Sequence, residues 1–512
     1  MAYLLGLDVG TSGAKALIID EPGSVVATAT TEYPMYTPHP LWAEQNPADW
    51  WEAMVASIHA AIEQAGIGPA AIAGIGLTGQ MHGLIALDRA GQVLRPCIMW
   101  NDQRTAAQCA WITERVGPER VLQLTGNPVL PGFTAPKIVW VREHEPEIYA
   151  RMAQVLLPKD YIRYLLTDGY ATEVSGASGT SLLNVGERRW SNEMLEALEI
   201  PRSWMPECAE SPEITGYVSA AGAAQTGVLE GTPVVGGGGD QAAGAVGTGI
   251  CREGTISVTL GTSGVVFAAS DEYRVEPEGR LHAFCHAIPA KWHLMGVVLS
   301  AGGSLRWFRD ALGEPQKSEA LRTSRDPYDP LMELAARAPA GCEGLVFLPY
   351  LTGERTPYPD PQARGVYCGI TLRHDKGHMV RSVVEGVSYA LRDSFELMRD
   401  LGIDIQQVRG SGGGVRSAVW RQILADVFGT ELVTVNSTEG AAYGAALLAA
   451  VGAGVFADVE AACDQAIELT NRVTPGTDTA AYEDYYPIYR ALYPALRDAF
   501  ADTAGVVARH LG

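Results

Sequence analysis

The tetrapeptide Gly10-Thr11-Ser12-Gly13 recurs as Gly261-Thr262-Ser263-Gly264, 251 positions later (261 − 10) in a chain of 512 residues. Apolar segments with extended character precede both copies: Leu4-Leu5-Gly6-Leu7 and Ile256-Ser257-Val258-Thr259-Leu260. A four-residue match alone arises by chance. The same match in the same hairpin context, half a chain apart, predicts a duplicated domain. Two such domains facing each other enclose a cleft, and each presents one Gly/Thr turn to it. The length agrees, since roughly 100–200 residues per domain gives two to four domains.

Local signals fill in the halves. Tyr3–Leu7, Ala14–Ile19 and Ser24–Thr31 read as extended, with Glu21-Pro22-Gly23 as a turn, so the chain opens as an antiparallel meander. A helix follows: Asn46 is placed to cap it, Pro47 to start it and Gly66 to end it, with Trp50, Met54, Ile58 and Ile62 recurring every four residues. Ala71–Leu77 reads as a buried strand running into Thr78-Gly79-Gln80-Met81-His82-Gly83. Ligands of α/β folds collect at such carboxyl ends of strands. Residues 105–230 mix helical patterns with Pro and Gly loops. Further helices are expected over His378–Leu401, Val415–Phe428 and from about Ala480 onward, and a new extended segment near Gly254. Gly440–Ala457 carries no charge, but eight alanines and four glycines make it a poor membrane span and a good tightly packed internal helix.

Charge narrows the partners. With 59 acidic and 38 basic residues the formal charge is −21, which repels a nucleic-acid backbone. A small anion is still admissible, because converging backbone amides bind phosphate where the global field is unfavourable. None of the eight cysteines forms a C-x-x-C pair, so neither a disulfide framework nor a zinc ribbon is expected, and free thiols point to a reducing, cytoplasmic setting. The start, MAYLLGLDVG, lacks the basic segment of a signal peptide.

Five constellations carry chemistry. In Asp8-Val9-Gly10-Thr11-Ser12-Gly13-Ala14-Lys15 the glycines let amides converge, hydroxyls add donors, and Asp8 offers a hard oxygen for Mg²⁺. The alternative is a tight hairpin whose Asp only caps the turn. The turn at Gly261-Thr262 reads the same way from the other half. Gly236-Gly237-Gly238-Gly239 leads into Asp240-Gln241 at the start of a small-residue helix. There Asp240 is either a helix cap or a general base taking a proton from a hydroxyl. Ser411-Gly412-Gly413-Gly414-Val415-Arg416-Ser417 is a strand-to-helix turn or a surface lying against a nucleotide. Gln80-Met81-His82-Gly83, with Trp100-Asn101-Asp102-Gln103-Arg104 downstream, offers groups for sugar hydroxyls, or an interior histidine and its neighbours.

Gly132-Phe133-Thr134-Ala135-Pro136-Lys137-Ile138-Val139-Trp140 resembles the first signature of the FGGY carbohydrate kinase family, G-x-T-x-x-K-x-x-W. Gly365–Ile370 with Arg381–Glu385 resembles the second. Pro38–Gln45, Gly79–Gly83, Leu157–Tyr161 and Gly353-Glu354-Arg355-Thr356-Pro357 are similar to the branch acting on xylulose, and Met81-His82 stand where the glycerol-specific branch has an Arg-Glu pair. The resemblance implies an α/β fold of two duplicated actin-like, hexokinase-like (ribonuclease H-like) ATPase domains with a cleft between them. Residues 1–250 would hold the sugar site, the first phosphate loop and the catalytic Asp, and 251–512 the nucleotide site and second phosphate loop. It further implies Asp240 as catalytic base and Asp8 as the acidic residue near Mg²⁺. Met81, His82, Asp240 and Gln241 are the implied sugar contacts. Thr11, Ser12, Gly261, Thr262, Gly302, Arg306, Gly413 and Ser417 are the implied nucleotide contacts. Gln241 stands where some members have Asn, and Ser417 where glycerol kinases have Asn. The expected reaction is transfer from ATP to O5 of D-xylulose. The rivals are a kinase for ribulose, a deoxyketose or a polyol, and a non-kinase ATPase of the same fold. The expected partners are sugar and ATP, with a homodimer as the protein assembly entertained and neither nucleic acid nor membrane.

Overall fold

Residues 2–437 and 439–511 are described by the computed structural model. Tyr3–Val9 (β1), Gly13–Asp20 (β2) and Val25–Glu32 (β3) form the antiparallel meander. Helix α1, Pro47–Ala65, follows. The Asn46 side chain accepts from the Ala48 amide, and Gly66 closes the helix at φ 65°, a left-handed conformation that suits glycine. Trp50, Met54 and Ile58 are buried on the α1 face that packs on β2 and β3. Each such side chain contributes about 1.5–3 kcal/mol relative to exposure.

Ile72–Gly79 (β4) runs parallel to β1, and Ile214–Tyr217 (β5) and Pro233–Val235 (β6) extend the sheet beyond it. Gly238–Gly239 (β7) also pairs with β4. The order is β5-β6-β4-β1-β2-β3. Between β4 and β5 the chain builds a separate layer of short helices around its own core, including Leu84, Ile138, Trp140 and Leu183.

Thr255–Leu260 (β8), Gly264–Ser270 (β9), His282–Cys285 (β10), Trp292–Val298 (β11), Gln407–Ser411 (β12), Glu431–Val435 (β13) and Leu469–Val473 (β14) form the second sheet, ordered β10-β11-β9-β8-β12-β13-β14. Five positions repeat the first sheet with the same sense of pairing: β3-β2-β1-β4-β6 matches β11-β9-β8-β12-β13. The duplication read from two turns is thus a duplication of whole sheets. The turns themselves differ. Val9 pairs with Ala14 across a four-residue turn, whereas Leu260 pairs with Gly264 across three residues.

The helices Asp240–Gly247 (α2), Gly302–Leu312 (α3), Lys376–Asp400 (α4), Ala418–Phe428 (α5), Gly440–Gly452 (α6) and Thr479–Leu511 (α7) complete the frame. The helix expected from Val415 is interrupted: a short 3₁₀ turn covers Gly414–Arg416, and Ser417 then caps α5. On α7, Tyr482 and Tyr486 point their hydroxyls at Glu385 and Asp393 of α4, at 2.9 and 2.7 Å. The uncharged stretch from Gly440 is helical to Gly452 and buried. It packs on α2 and lies across β1 and β4 of the first sheet, although it belongs to the second half of the chain. Glycine makes this approach possible. A Cβ at Gly76 would sit 1.9 Å from the Ala445 carbonyl, and one at Gly444 1.8 Å from the Ala243 carbonyl. Among the described residues no helix is long and apolar enough to cross a membrane.

Candidate active site

The parallel register of β1 and β4 sets Asp8 beside Thr78 and Val9 beside Gly79. On the other side of β4, Gly238 pairs with Thr78 and Gly239 with Gly79. The next residue is Asp240, so three strand ends bring both aspartates to one edge of the first sheet. Asp240 is not a helix cap: Gly239 occupies that position, and the Asp240 carboxylate accepts from the amide (3.0 Å) and Nε2 (3.2 Å) of Gln241. Burial raises its pKa above the ordinary carboxylate range, against the lowering effect of those hydrogen bonds. Asp8 is pushed up to about 7, by burial first and then by the charge of Asp240, with Lys15 acting in the opposite direction. Asp8 Oδ1 is buried and without a hydrogen-bond partner among the described residues, so Asp8 does not serve as a turn cap.

That uncompensated oxygen fits a hard cation. Mg²⁺ takes one or two protein carboxylates and completes its shell with water and phosphate oxygens. The described residues hold no cluster of three or more His, Cys, Asp or Glu side chains that would bind a metal alone. Such a one-carboxylate site suits an ion that arrives with its phosphates.

The first turn is wired into its own half. Gln45 Nε2 donates to the Thr11 carbonyl at 2.8 Å, and its Oε1 accepts from Gln80 Nε2 and Trp50 Nε1, both at 3.0 Å. Trp100 Nε1 donates to Thr11 Oγ1 at 3.1 Å. The second turn opens instead onto a cavity of about 860 Å³. Gly261, Thr262, Gly302, Arg306, Gly413 and Ser417 all line it, while Thr11 and Ser12 do not. The amides of Gly302 and Gly303 donate to the Gly261 and Thr262 carbonyls at 2.8 and 2.9 Å, which fixes the start of α3 against the turn. The Ser417 hydroxyl accepts from the Trp420 amide at 3.3 Å as the α5 cap.

Met81 and His82 follow β4 after Gln80. Met81 sits against Gly239, where a Cβ would come within 2.8 Å of its sulfur, so it adjoins Asp240. His82 takes the left-handed backbone conformation, φ 69°, rare for a residue with a side chain. Its carbonyl accepts from Thr134 Oγ1 (3.0 Å) and Lys137 Nζ (2.9 Å), its ring stacks on Phe133 at 4.6 Å, and Nδ1 lies 2.7 Å from the Gly179 carbonyl. Burial pushes its pKa down to about 3, so the ring is neutral at pH 7. A carbonyl can only accept. The proton therefore sits on Nδ1, and Nε2 remains an acceptor for a hydroxyl or amide donor.

The profile for the N-terminal domain of the FGGY family of carbohydrate kinases matches residues 3–247, and that for its C-terminal domain matches residues 256–453. The chain belongs to the FGGY family of carbohydrate kinases. The xylulose kinase of Escherichia coli (strain K12) is 44% identical to this FGGY kinase over 84% of the chain and 85% of the relative. That of Bacillus subtilis (strain 168) is 38% identical over 86% of each. The solved xylulose kinase from Rhodospirillum rubrum superposes with a TM-score of 0.91 at 32% identity, over 98% of this chain and all of that one.

In this FGGY kinase the two signatures are largely braces. Lys137 is fully buried, with its pKa lowered to about 7 by burial, and ties the His82 and Gly132 carbonyls together. Arg104 stacks over Trp42 at 3.6 Å and lies 4.9 Å from Trp140, which meets Trp42 edge-on, and its guanidinium grips Asp102 at 2.7 Å. Arg104 and Asp102 thus hold the loop rather than offer themselves to a ligand. Arg381 bonds Glu385 and Tyr482 (both 2.7 Å), which fastens α7 to α4. Sequence reading missed the Gln45–Gln80 link, because its partners lie 35 residues apart on different elements.

Proposed function

We propose that this kinase transfers the γ-phosphoryl group of ATP to O5 of D-xylulose, giving D-xylulose 5-phosphate and ADP. The observation that carries the reading is the meeting of Asp240 and Asp8 at one sheet edge, beside Met81, whose chain neighbour is the neutral His82. Residues 1–250 supply the sugar site and the base, and residues 251–512 the nucleotide site. Gly261, Thr262, Gly302, Arg306, Gly413 and Ser417 cradle ATP, and Thr11 and Ser12 meet its terminal phosphate from the opposite turn.

Asp240 accepts the O5 proton as O5 forms its bond to the γ-phosphorus, while the bond to the bridging oxygen breaks and that oxygen leaves with ADP. Its raised pKa makes it a stronger base than an ordinary carboxylate. His82 Nε2 accepts from a sugar hydroxyl, and Gln241 keeps the Asp240 carboxylate aimed. Asp8 is the residue that would hold Mg²⁺, which supplies charge neutralisation at the phosphates when bound. Backbone amides of the Gly/Thr turns add fixed donors there. All eight cysteines are free, which supports a cytoplasmic enzyme. A panel of ketoses and polyols with coupled ADP detection tests the substrate. D-Xylulose is expected to give the highest kcat/KM, and a higher value for ribulose, a deoxyketose or a polyol would replace it.

A further inference from the structure

The loop Gly353-Glu354-Arg355-Thr356-Pro357 is unused by this mechanism, and the inference here rests on the kinase reading. The residues flanking Arg355 are clamped. The Thr356 amide donates to the Val297 carbonyl (3.1 Å), Thr356 Oγ1 to the Arg280 carbonyl (3.0 Å), and the Leu299 and Arg355 amides to Glu354 Oε1 (2.9 and 2.8 Å). Glu354 and Thr356 are buried, while the Arg355 side chain is exposed. A strained or mobile loop would not hold one side chain out between two pinned neighbours. Arg355 is held out by design of the loop's own hydrogen bonds.

The guanidinium makes no hydrogen bond or ion pair with any described side chain; the one bond of this residue is through its amide. It is open to solvent yet crowded by protein, and burial lowers its pKa despite the adjacent Glu354. Thr356 bonds the carbonyls of Val297 and Arg280, two residues from Met295 and from its strand partner His282, which sets Arg355 by the His282 strand, and the Arg355 charge bears on the rings of both His82 and His282. Those rings belong to one aromatic cluster: His82 on Phe133 at 4.6 Å, Phe133 to His282 at 6.2 Å, His282 on Phe284 at 5.6 Å. The first half contributes His82 and Phe133, and the second half His282, Phe284 and Arg355. Contacts lead stepwise away from the base: Met81 lies against Gly239 beside Asp240, its chain neighbour His82 stacks on Phe133, Phe133 adjoins His282, and the Arg355 loop is bonded to the chain entering the strand of His282.

We propose that Arg355 is the acceptor-binding residue supplied by the second half, donating to the sugar oxygens remote from the hydroxyl that is phosphorylated. A cation beside neutral imidazoles and phenyl rings lacks an acceptor until a ligand brings one. A guanidinium fork also matches a carboxylate. A five-carbon aldonate, with a carboxylate at that end of the chain, therefore competes with the ketose.

The test is steady-state kinetics of the full chain as wild type, R355M and R355K, with ketose and ATP varied separately and D-xylonate as inhibitor. R355M is expected to raise the ketose KM about 10–100-fold, the worth of a charged hydrogen bond, with the ATP KM within about twofold. R355K regains part of the loss. D-Xylonate inhibits wild type competitively against ketose and fails to inhibit R355M. An unchanged ketose KM in R355M, an equal rise in both KM values, or equal D-xylonate inhibition of both proteins overturns the proposal alone. A wild type with no ketose-dependent ADP release overturns the kinase reading, and the assignment of Arg355 with it. The unchanged ATP KM also reports that the variants are folded.

Discussion

The two Gly-Thr-Ser-Gly turns have one sequence and two structures. The turn at Gly10 spans four residues, follows Asp8, and has its carbonyls and the Thr11 hydroxyl engaged by Tyr33, Gln45 and Trp100. The turn at Gly261 spans three residues and has Thr259 at the position of Asp8. Its carbonyls are taken by the amides of Gly302 and Gly303, and Thr262 faces a cavity. Duplication supplied the scaffold twice. The side chains packed around each copy then made one turn the seat of a carboxylate and the other the wall of a cavity. That division is what supports the proposal of chemistry in the first half and nucleotide in the second.

The strongest way to break this division is Asp240→Ala. Turnover should fall about 10²–10⁴-fold, the usual contribution of a general base, with little change in the ATP KM. Near-normal turnover in initial-rate assays would remove the base from the first half. His82→Ala and Thr262→Ala sharpen the division as a pair. The first should raise the ketose KM and spare the ATP KM, and the second should do the reverse, each by roughly 2–10-fold for a lost neutral hydrogen bond. Equal effects on both substrates from either variant would return that residue to a structural role.

Two further variants probe stability. Gly76→Ala drives a Cβ into the Ala445 carbonyl and should cost about 1–3 kcal/mol in urea unfolding, more if α6 cannot shift. A variant as stable as wild type would mean that the halves are not interlocked there. The smallest effect concerns pH. Asp8 has a folded pKa of about 7, above its ordinary value, so its contribution to stability is full below the ordinary carboxylate range and lost as pH rises through about 7. Without Mg²⁺, Asp8→Asn should therefore gain in Tm over wild type as pH goes from 4 to 8. A Tm difference independent of pH would show that Asp8 is not ionised against the field of Asp240.

Short-range physics was legible. The meander, α1 with its Asn46 cap and Gly66 stop, the strand ending at Gly79 and the packed helix from Gly440 all carry signals within a few residues. Asp240 was open between cap and base, and the structure removes the cap because Gly239 holds that position. The α5 start was misjudged because Ser417 caps the helix after a 3₁₀ turn that has no distinctive pattern. Thr11 and Ser12 were grouped with the nucleotide residues by analogy of sequence, yet they lie outside the cavity that the other six share. Arg355 was visible only as part of a motif, since its surroundings come from His82 and His282, 273 and 73 positions away (355 − 82 and 355 − 282).

By itself the sequence determined the duplicated α/β plan and the chemical groups on offer, because hydrophobic period, caps and glycine turns act between near neighbours. The tertiary structure decided which of two identical turns meets a carboxylate and which opens to a cavity. It also decided that Arg355 is held by the His282 strand with its guanidinium unpaired among the described residues. Those choices depend on electrostatic and packing contacts between residues hundreds of positions apart, which local patterns do not encode.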